Sequence, residues 1–355
     1  MLEKILSPEN LGAAYAKVVQ NNGTCGIDGM SANELSIFLE HSGERIINAI
    51  LAGTYTPQPV KTVKIPKSDG KLRTLGIPAA IDRLIQRAVV QVLTPFYENI
   101  FSDDSFGFRP ERGIEDAVKK SLQYLNSGHD WAADLDMEKF FDSVCREKLL
   151  QILIRDIHDK RVLKLINSYI NCDAFDRGRH IHTSAGIHQG GPLSPLLANI
   201  MLNELDRELT RRGELFVRYA DDMMIFCRNE LSARNALKHI TPYIEKGLSL
   251  RINSEKTSIS HAEKIKFLGY GFFMTPEGYK IKIHPDSISK FKERVISLAK
   301  RNETEKIRQY FTAWITHYRL ADLDSFLHDC RKWLSFSPKT QEFLTSFRLK
   351  QLKQS

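Results

Sequence analysis

The sequence has little cysteine, no long apolar run, and no repeat or low-complexity segment. Its five cysteines are scattered and odd in number, without a C-x-x-C pair, which argues against a disulfide framework or a structural zinc site and favours a reducing, cytoplasmic setting. No stretch approaches the roughly 20 apolar residues of a membrane helix. The first residues, MLEKILSPEN, include acidic side chains where a secretory signal has an apolar core. These absences predict a folded protein outside the membrane.

The chain is long enough for two or three domains and is basic overall. It has 355 residues, of which 42% are hydrophobic and 26% are charged, and its formal net charge is +8. The charge is uneven, because residues 286–355 contain 14 Lys or Arg against 8 Asp or Glu. A basic C-terminal segment favours a polyanionic partner such as nucleic acid, although many basic proteins bind none.

Hydrophobic periodicity predicts an α+β fold in which helices and strands are intermixed. The runs PVKTVKIP and KLRTLGIP flank an Asp69-Gly70 turn and predict a β-hairpin. WAADLDM, LFVRYADDMMIF, LSLRINSEKTSIS and KIKFLGYGFFM predict further strands, and a polar stretch over 173–188 is hairpin-like. Helical spacing covers the ranges 81–99, 113–126, 160–170, 193–212 and 231–247. The segment from Pro285 onward predicts Lys/Arg-rich helices.

Two acidic segments at the ends of apolar strands carry the most information. Asp221 and Asp222 lie between LFV and MMIF without a neighbouring Gly, Asn or Pro. A solvated turn is the ordinary explanation for paired aspartates, but like charges held at a strand tip favour a bound divalent cation. Asp134 and Asp136 alternate onto one face of another strand, so Asp136 could meet Asp221. Carboxylates from two strands can hold two Mg²⁺ ions roughly 4 Å apart.

The order of several motifs resembles the palm of a reverse transcriptase. DLDMEKFFDSV, QGGPLSP, YADD, INSEKT and FLGY follow one another in that family's order. Before them, GIDG, IPKSDGKLRTLGIP and SFGFRP resemble the fingers of the group II intron-encoded (maturase) kind, and HYRLADLDSFLHDCRKW resembles its thumb. The resemblance fits a group II intron-encoded enzyme or a stand-alone group II intron-like reverse transcriptase.

This resemblance implies a right-hand polymerase fold and a reaction. The expected domains are fingers over 1–113, a palm with an antiparallel sheet over 114–284, and a helical basic thumb over 285–355. The expected reaction is attack of a primer 3′-hydroxyl on the α-phosphate of a dNTP, directed by an RNA template. Because the sequence ends at Ser355, where many relatives continue with DNA-binding and endonuclease domains, we expect no target cleavage of its own.

The resemblance also implies a cofactor and roles for single residues. The cofactor is a pair of Mg²⁺ ions, which Mn²⁺ could replace, held by Asp136, Asp221, Asp222 and the Met137 carbonyl. The catalytic residues are the three aspartates together with Lys256, which protonates pyrophosphate. The nucleotide-binding residues are Lys67, Arg73, Phe141 and Gln189, with Phe141 excluding a 2′-hydroxyl. The residues that contact template or primer are Arg109, Gly190, Phe267, Leu268, Gly269 and Tyr270. The supporting acidic residues are Asp134 and Asp142.

Ordinary structural explanations stay open for several of these residues. A basic edge strand accounts for Lys67 and Arg73, and a solvated surface position accounts for Lys256. Of Phe140 and Phe141, one must fill the core, because successive residues of a helix point about 100° apart.

Other functions and settings fit parts of the sequence. An RNA-binding splicing maturase that acts mainly as an RNA-folding cofactor would use the basic thumb and fingers, but it would not need all three aspartates. A nucleotide cyclase would leave the fingers hairpin, QGGPLSP and FLGY without a purpose. A domesticated enzyme of DNA repair, phage defence or CRISPR adaptation would share every motif. The expected partners are an RNA template, a DNA or RNA primer and dNTPs, with group II intron RNA as a further candidate and no membrane. The oligomeric state is not indicated.

Overall fold

The computed structural model describes residues 1–66 and 72–334, and of residues 331–334 the backbone alone. Its helices follow the predicted order along the chain and include the predicted segments 81–99 and 160–170 almost residue for residue. The helices are α1 (Leu2–Ile5), α2 (Pro8–Asn21), α3 (Leu35–Leu51), α4 (Ala80–Glu98), α5 (Ile114–Asn126), α6 (Phe140–Ser143), α7 (Arg146–Asp156), α8 (Lys160–Ile170), α9 (Ser194–Arg211), α10 (Glu230–Pro242), α11 (Pro285–Lys300), α12 (Thr304–His317) and α13 (Leu323–Leu334).

The strands confirm the predicted α+β class. They are β1 (Val60–Pro66), β2 (Leu72–Ile77), β3 (Trp131–Leu135), β4 (Ala174–Asp176), β5 (Arg179–Ile181), β6 (Leu215–Tyr219), β7 (Asp222–Cys227), β8 (Ser258–His261), β9 (Tyr270–Thr275) and β10 (Gly278–Ile283). Among the described residues they form sheets of order β2-β1-β4-β5, β6-β7-β3-β8 and β10-β9. The predicted hairpin is present, with β1 antiparallel to β2 from Lys61 opposite Ile77 to Pro66 opposite Leu72. Its turn, residues 67–71, lies outside the described residues.

Two segments predicted as strands form turns or loops instead. Phe267 and Tyr270 exchange backbone hydrogen bonds across Leu268 and Gly269, so FLGY is a tight turn that leads into β9. Residues 249–257 run as a loop in which Ile252 alone bridges Met137. Both departures have a backbone cause, because Leu268 (φ 53°) and Ser249 (φ 56°) adopt the left-handed conformation, which interrupts an extended strand.

One compact unit comprises residues 1–113, 134–225 and 234–258. Its core is helical, since α4 packs against α1, α2 and α9, and α7 packs against both α8 and α9. Helix α9 is apolar on most sides, and the polar residues buried along it are Ser194, Asn199, Asn203 and Asp206. Buried polar groups require hydrogen-bonding partners, and those of Asn199 and Asp206 lie in the segments around the acidic turn.

The second compact unit comprises, among the described residues, 114–133, 226–233 and 259–334. Here β9 pairs antiparallel with β10, helix α5 packs on β10, and α11 packs on α12. An aromatic cluster forms the core between the helices and includes Phe291, Phe311, Trp314, Tyr318 and Phe326. The predicted limits of fingers, palm and thumb stay a prediction.

The described residues contain no helix with the length and apolar character needed to cross a bilayer. All five cysteines are free thiols.

Candidate functional site

The acidic turn between β6 and β7 is held by apolar strands. Phe216 and Val217 before it, and Met223 and Met224 after it, are buried. Ala220 occupies the left-handed region at φ 58°, where a glycine would be expected. Buried strands on both sides therefore fix the places of Asp221 and Asp222.

Asp136 leaves β3 next to the loop that carries INSEKT. Its amide nitrogen donates to the Thr257 hydroxyl (3.2 Å), and its carbonyl accepts from the Asn253 amide nitrogen (2.9 Å). Lys256 Nζ lies 3.6 Å from Asp136 Oδ2. Met137, which is buried, bridges Ile252 in the same short ladder. The structure thus brings Lys256 close to Asp136.

The pKa values indicate that the carboxylates lie within electrostatic reach of one another. Loss of water, and then repulsion from Asp221 and Asp136, raise the pKa of Asp222 to about 6. Desolvation followed by repulsion from Asp222 and Asp136 raises the pKa of Asp134 to about 7. Lys256 and Arg73 act in the opposite direction on the pKa of Asp222. One electrostatic cluster therefore contains the predicted aspartates together with Lys256 and Arg73.

The donor chemistry of this cluster suits Mg²⁺, although the side chains are not drawn together. Among the residues described, no set of three or more His, Cys, Asp or Glu side chains is arranged to hold a metal ion. Carboxylate oxygens are the ligands that Mg²⁺ prefers. The mutual repulsion that raises the pKa of Asp222 is what a divalent cation would relieve.

Phe140 and Phe141 occupy different environments, as helical geometry predicts. Phe140 is 2% exposed, while Phe141 is half-buried with its ring edge-on to Phe140 at 5.3 Å. The Phe141 carbonyl accepts a hydrogen bond from the Ile187 amide (2.8 Å). This bond connects Phe141 to the segment that leads into QGGP.

The QGG loop packs against strand β2. The Gln189 carbonyl accepts from the Gly76 amide (2.7 Å), so the backbone is used for packing and the side-chain amide is not part of this bond. Gly190 has φ 121°, and a Cβ there would lie 2.6 Å from the Gly76 carbonyl oxygen. A Cβ at Gly191 would lie 2.7 Å from Gln86 Oε1. Close approach to backbone therefore accounts for Gly190, whereas Gly191 faces the end of the Gln86 side chain.

The fingers hairpin is described only in part. Arg73 is exposed on β2 opposite Ile65. Lys67, the other predicted triphosphate contact, lies outside the described residues.

Arg109 lies in the interior, which corrects the expected contact with template phosphate. Its side chain is 1% exposed and forms a bidentate pair with Glu98 at 2.8–3.2 Å. The remaining guanidinium nitrogen donates to the carbonyls of Ser102 and Ser105. These bonds engage every guanidinium nitrogen of Arg109 in holding its own loop.

The FLGY turn is held by residues that follow it in the second unit. The Gly269 carbonyl accepts from the Ser287 hydroxyl (2.9 Å) and the His284 amide (3.1 Å). Tyr270 is fully buried and Phe267 is 3% exposed, so of the four predicted primer contacts Leu268 and Gly269 keep more surface.

Sequence reasoning missed the buried groups that support these turns. Arg218 lies fully buried one residue before YADD and bonds to Asp206 and Asn199 of α9. An arginine inside the apolar run LFVRY was the available signal. For Ser287 no comparable signal exists, because no residue near it in the sequence indicates that its hydroxyl bonds to Gly269.

Comparison with known proteins identifies the family. The reverse transcriptase (RNA-dependent DNA polymerase) family matches residues 65–272, which is more than half of the chain. The chain is 32% identical over 311 residues to Protein YkfC of Escherichia coli, covering 76% of this chain and 82% of that protein. It is 33% identical over 243 residues to the group II intron-encoded protein LtrA of Lactococcus lactis, covering 68% of this chain but 40% of LtrA.

A solved structure extends the likeness to the fold. Apo telomerase from Candida tropicalis, truncated from its C-terminal domain, matches with a TM-score of 0.51 at 15% identity, over 70% of this chain and 60% of that chain. This identity supports the shared fold alone, and with the family match it confirms the predicted right-hand class. The chain therefore belongs to the reverse transcriptase family, and it is an RNA-directed DNA polymerase of the group II intron-like type, as its motifs predict.

Proposed function

We propose that the acidic cluster is the polymerisation site and that it works with two Mg²⁺ ions. The observation that carries this proposal is that Asp221 and Asp136 both repel Asp222 within one compact unit, where Lys256 also lies 3.6 Å from Asp136. Carboxylates that repel one another lower the stability of the fold unless a bound cation balances their charge. The proposed ligands are these three aspartates and the Met137 carbonyl.

The chain's own residues prepare the reacting groups. When bound, the metal pair would activate the primer hydroxyl and stabilise the charge on the leaving phosphate. Lys256 Nζ lies 3.6 Å from the Asp136 carboxylate, and its ammonium group would give a proton to pyrophosphate. Arg73, exposed on β2, would grip triphosphate oxygens through its fork of N–H donors, and Lys67 would add a point charge. Positioning and electrostatic stabilisation then supply most of the acceleration.

Sugar, template and primer are assigned to separate groups. Phe141 would pack beneath the sugar of the incoming nucleotide and exclude a 2′-hydroxyl. The Gln189 amide, with both a donor and an acceptor, and the backbone at Gly190 would position nucleotide and template. The FLGY turn would hold the primer mainly through Leu268 and Gly269, since its two aromatic residues are buried.

Removing single carboxylates tests the site. We expect Asp136→Ala and Asp221→Ala each to abolish primer extension on a primed RNA template with dNTPs and Mg²⁺, while the affinity for template–primer is retained. Glu138→Ala is the matched control, because Glu138 is an exposed acid of the same segment and we expect it to keep most of the activity. Full activity in either Asp136→Ala or Asp221→Ala would remove the proposal.

A second candidate function is assistance in the splicing of a group II intron. It is favoured by the basic segment 286–355 and by the likeness to the group II intron-encoded protein LtrA, of which this chain spans 40%. A splicing role predicts tighter, salt-dependent binding to a structured intron RNA than to a random duplex. It also predicts that Asp136→Ala still assists splicing. Equal affinity for both RNAs would count against it.

The setting proposed for this activity is the cytoplasm of a bacterium, because the thiols are free and YkfC and LtrA come from bacteria. A mobile intron or a domesticated role in DNA repair, phage defence or CRISPR adaptation would employ the same chemistry.

A further inference from the structure

An arginine with no exposed surface lies directly behind the acidic turn. Arg218 and Asp206 are both 0% exposed, and their side chains form a bidentate ion pair, with Nε to Oδ1 at 2.8 Å and Nη2 to Oδ2 at 2.5 Å. The third nitrogen, Nη1, donates to Asn199 Oδ1 (2.9 Å) and to the Ala220 carbonyl (3.0 Å). One guanidinium thus joins helix α9 to the turn that carries Asp221.

The bond to Ala220 reaches the most constrained residue of that turn. Ala220 has φ 58°, a left-handed conformation that is unfavourable for a residue with a Cβ and persists only when the surroundings impose it. Its carbonyl is the acceptor for Arg218 Nη1, and Asp221 is the next residue. Releasing this carbonyl would let the peptide between Ala220 and Asp221 rotate toward a more favourable conformation.

A second segment closes the other side of the turn. The Phe106 amide donates to the Arg218 carbonyl (2.9 Å), and the Arg218 amide donates to the Asp104 carbonyl (2.8 Å). Asn199 Nδ2 donates to the Gly107 carbonyl (2.8 Å). A Cβ at Gly107 would overlap the Ala220 amide nitrogen, so the two backbones are in direct contact.

The chemistry of this network suits positioning better than stability. A fully buried ion pair loses so much hydration that an apolar pair of similar size is often as stable or more so. Arginine offers a planar fork that can meet three acceptors at once, which the single ammonium of lysine cannot reproduce in the same geometry. The Arg218 charge is balanced by Asp206, so the effect that reaches the turn is a directional hydrogen bond.

We propose that Arg218, held by Asp206 and Asn199, is a positioning residue for polymerisation that fixes the Ala220 peptide and thereby the directions of Asp221 and Asp222. This inference rests on the proposed role of those two aspartates. It assigns no contact with substrate or metal to Arg218 itself.

The decisive variant replaces the ion pair by apolar residues. Arg218→Met combined with Asp206→Leu leaves no unpaired buried charge and removes the donor to Ala220. Arg218→Lys is the second variant, because it keeps the charge opposite Asp206 and loses the fork. Leu35→Ala is the matched control, since Leu35 is fully buried in α3 of the same unit and belongs to no part of the site.

Four measurements on the full-length chain separate positioning from a general loss of structure: thermal melting, template–primer affinity, steady-state extension kinetics, and backbone amide exchange of the peptide over 218–223. We expect the apolar pair to melt cooperatively and to bind template–primer as the parent does. Its kcat should fall up to about 100-fold, the size expected when reacting groups move by about 1 Å. Amide exchange at 218–223 should be faster than in the parent, and Arg218→Lys should show the same pattern more weakly.

The outcomes are distinguishable from failure of the proposed function. Parent-like kcat and parent-like exchange in the apolar pair, or in Arg218→Lys if the apolar pair does not fold, would overturn the inference and leave the proposed site standing. An equal loss of kcat in Leu35→Ala would also overturn it, because the effect would then be general destabilisation. Full activity in Asp221→Ala would instead remove the proposed function.

Discussion

At the scale of single residues, two neighbouring phenylalanines lie in different environments. Phe140 is 2% exposed and belongs to the core, whereas the half-buried Phe141 keeps a free ring surface. Truncating a buried phenylalanine costs about 3–5 kcal/mol, so Phe140→Ala should mainly lower the free energy of unfolding. We expect effects on substrate choice from Phe141.

The Phe141→Ala variant should admit ribonucleotides. Removing the ring opens space beside the sugar, so we expect the ratio of kcat/KM for rNTP to that for dNTP to rise roughly 10- to 100-fold. Single-nucleotide extension on an RNA template measures this ratio, with Phe140→Leu as a control for packing. An unchanged ratio together with normal dNTP use would show that another group selects the sugar.

A second residue-scale feature is the buried acid Asp82, which couples stability to pH. It is 1% exposed and accepts hydrogen bonds from the Tyr55 hydroxyl (2.6 Å) and the Gln58 amide (3.0 Å). Burial outweighs these bonds and raises the pKa of Asp82 from 3.8 to about 6. The folded state therefore prefers the protonated acid, and this contribution to stability is complete below about pH 4 and is lost as the pH rises through 6.

Asp82→Asn should flatten the pH dependence of unfolding. From the pKa shift, the parent should lose on the order of 3 kcal/mol between pH 4 and pH 7.5 through Asp82 alone. The variant lacks that loss, although its amide faces a donor at a cost of about 1–3 kcal/mol at every pH. Urea unfolding at both pH values measures the difference, and exposed Glu40→Gln is the control. Identical pH dependence in parent and Asp82→Asn would contradict the assignment.

At the scale of elements, close approach of backbones fixes the site. Gly107 meets Ala220, and Gly190 meets Gly76, in each case without room for a side chain. Through these contacts the loop at Gly190 packs against β2, and the loop at Gly107 packs against the acidic turn. In both cases the two segments are distant in sequence. Their glycines serve packing between segments as well as local flexibility.

Matched glycine substitutions test whether this close packing of backbones supports stability and activity. Gly107→Ala should lower both the free energy of unfolding and primer extension, because its methyl group would overlap the Ala220 backbone. Gly12→Ala should raise the free energy of unfolding by roughly 0.5–1 kcal/mol, because Gly12 is an exposed position within α2 with nothing near its Cβ. Chemical denaturation of both variants is the measurement, and equal stability changes would refute the argument.

The same elements show how far sequence reasoning reaches. Helix α8 and the β1–β2 hairpin follow from period and turn chemistry, and Asp136 and Asp221 follow from motif order. Arg109 was expected to face nucleic acid because its partner Glu98 lies 11 residues earlier, at the end of α4, and burial cannot be read from a loop sequence. The FLGY turn was expected as a strand because its apolar residues alternate suitably, while its left-handed backbone at Leu268 depends on contacts formed by Ser287 and His284.

At the scale of the whole molecule, the placement of charge predicts how nucleic acid is held. Lys290 and Arg294 are exposed one helical turn apart on α11, in the basic C-terminal segment. The double variant Lys290→Ala, Arg294→Ala should bind RNA more weakly than the parent. The slope of log affinity against log salt concentration should become shallower by the amount that about two phosphate contacts contribute. Arg211→Ala, whose partner is Glu208, is the control. A slope equal to that of the parent would exclude a phosphate contact at α11.

Helix α9 begins three residues after Gly191 and carries Asn199 and Asp206 to the acidic turn. At 1.5 Å per residue, Asp206 lies about 18 Å along the helix axis from the first residue of α9. Because α9 starts beside the proposed nucleotide-positioning loop and bonds to Arg218 behind the acidic turn, a tilt of α9 would displace both proposed sites together. Variants of this protein that are selected for heat tolerance and have a stiffer α9 should therefore change in copying accuracy and in copying speed together, and neither property should change alone.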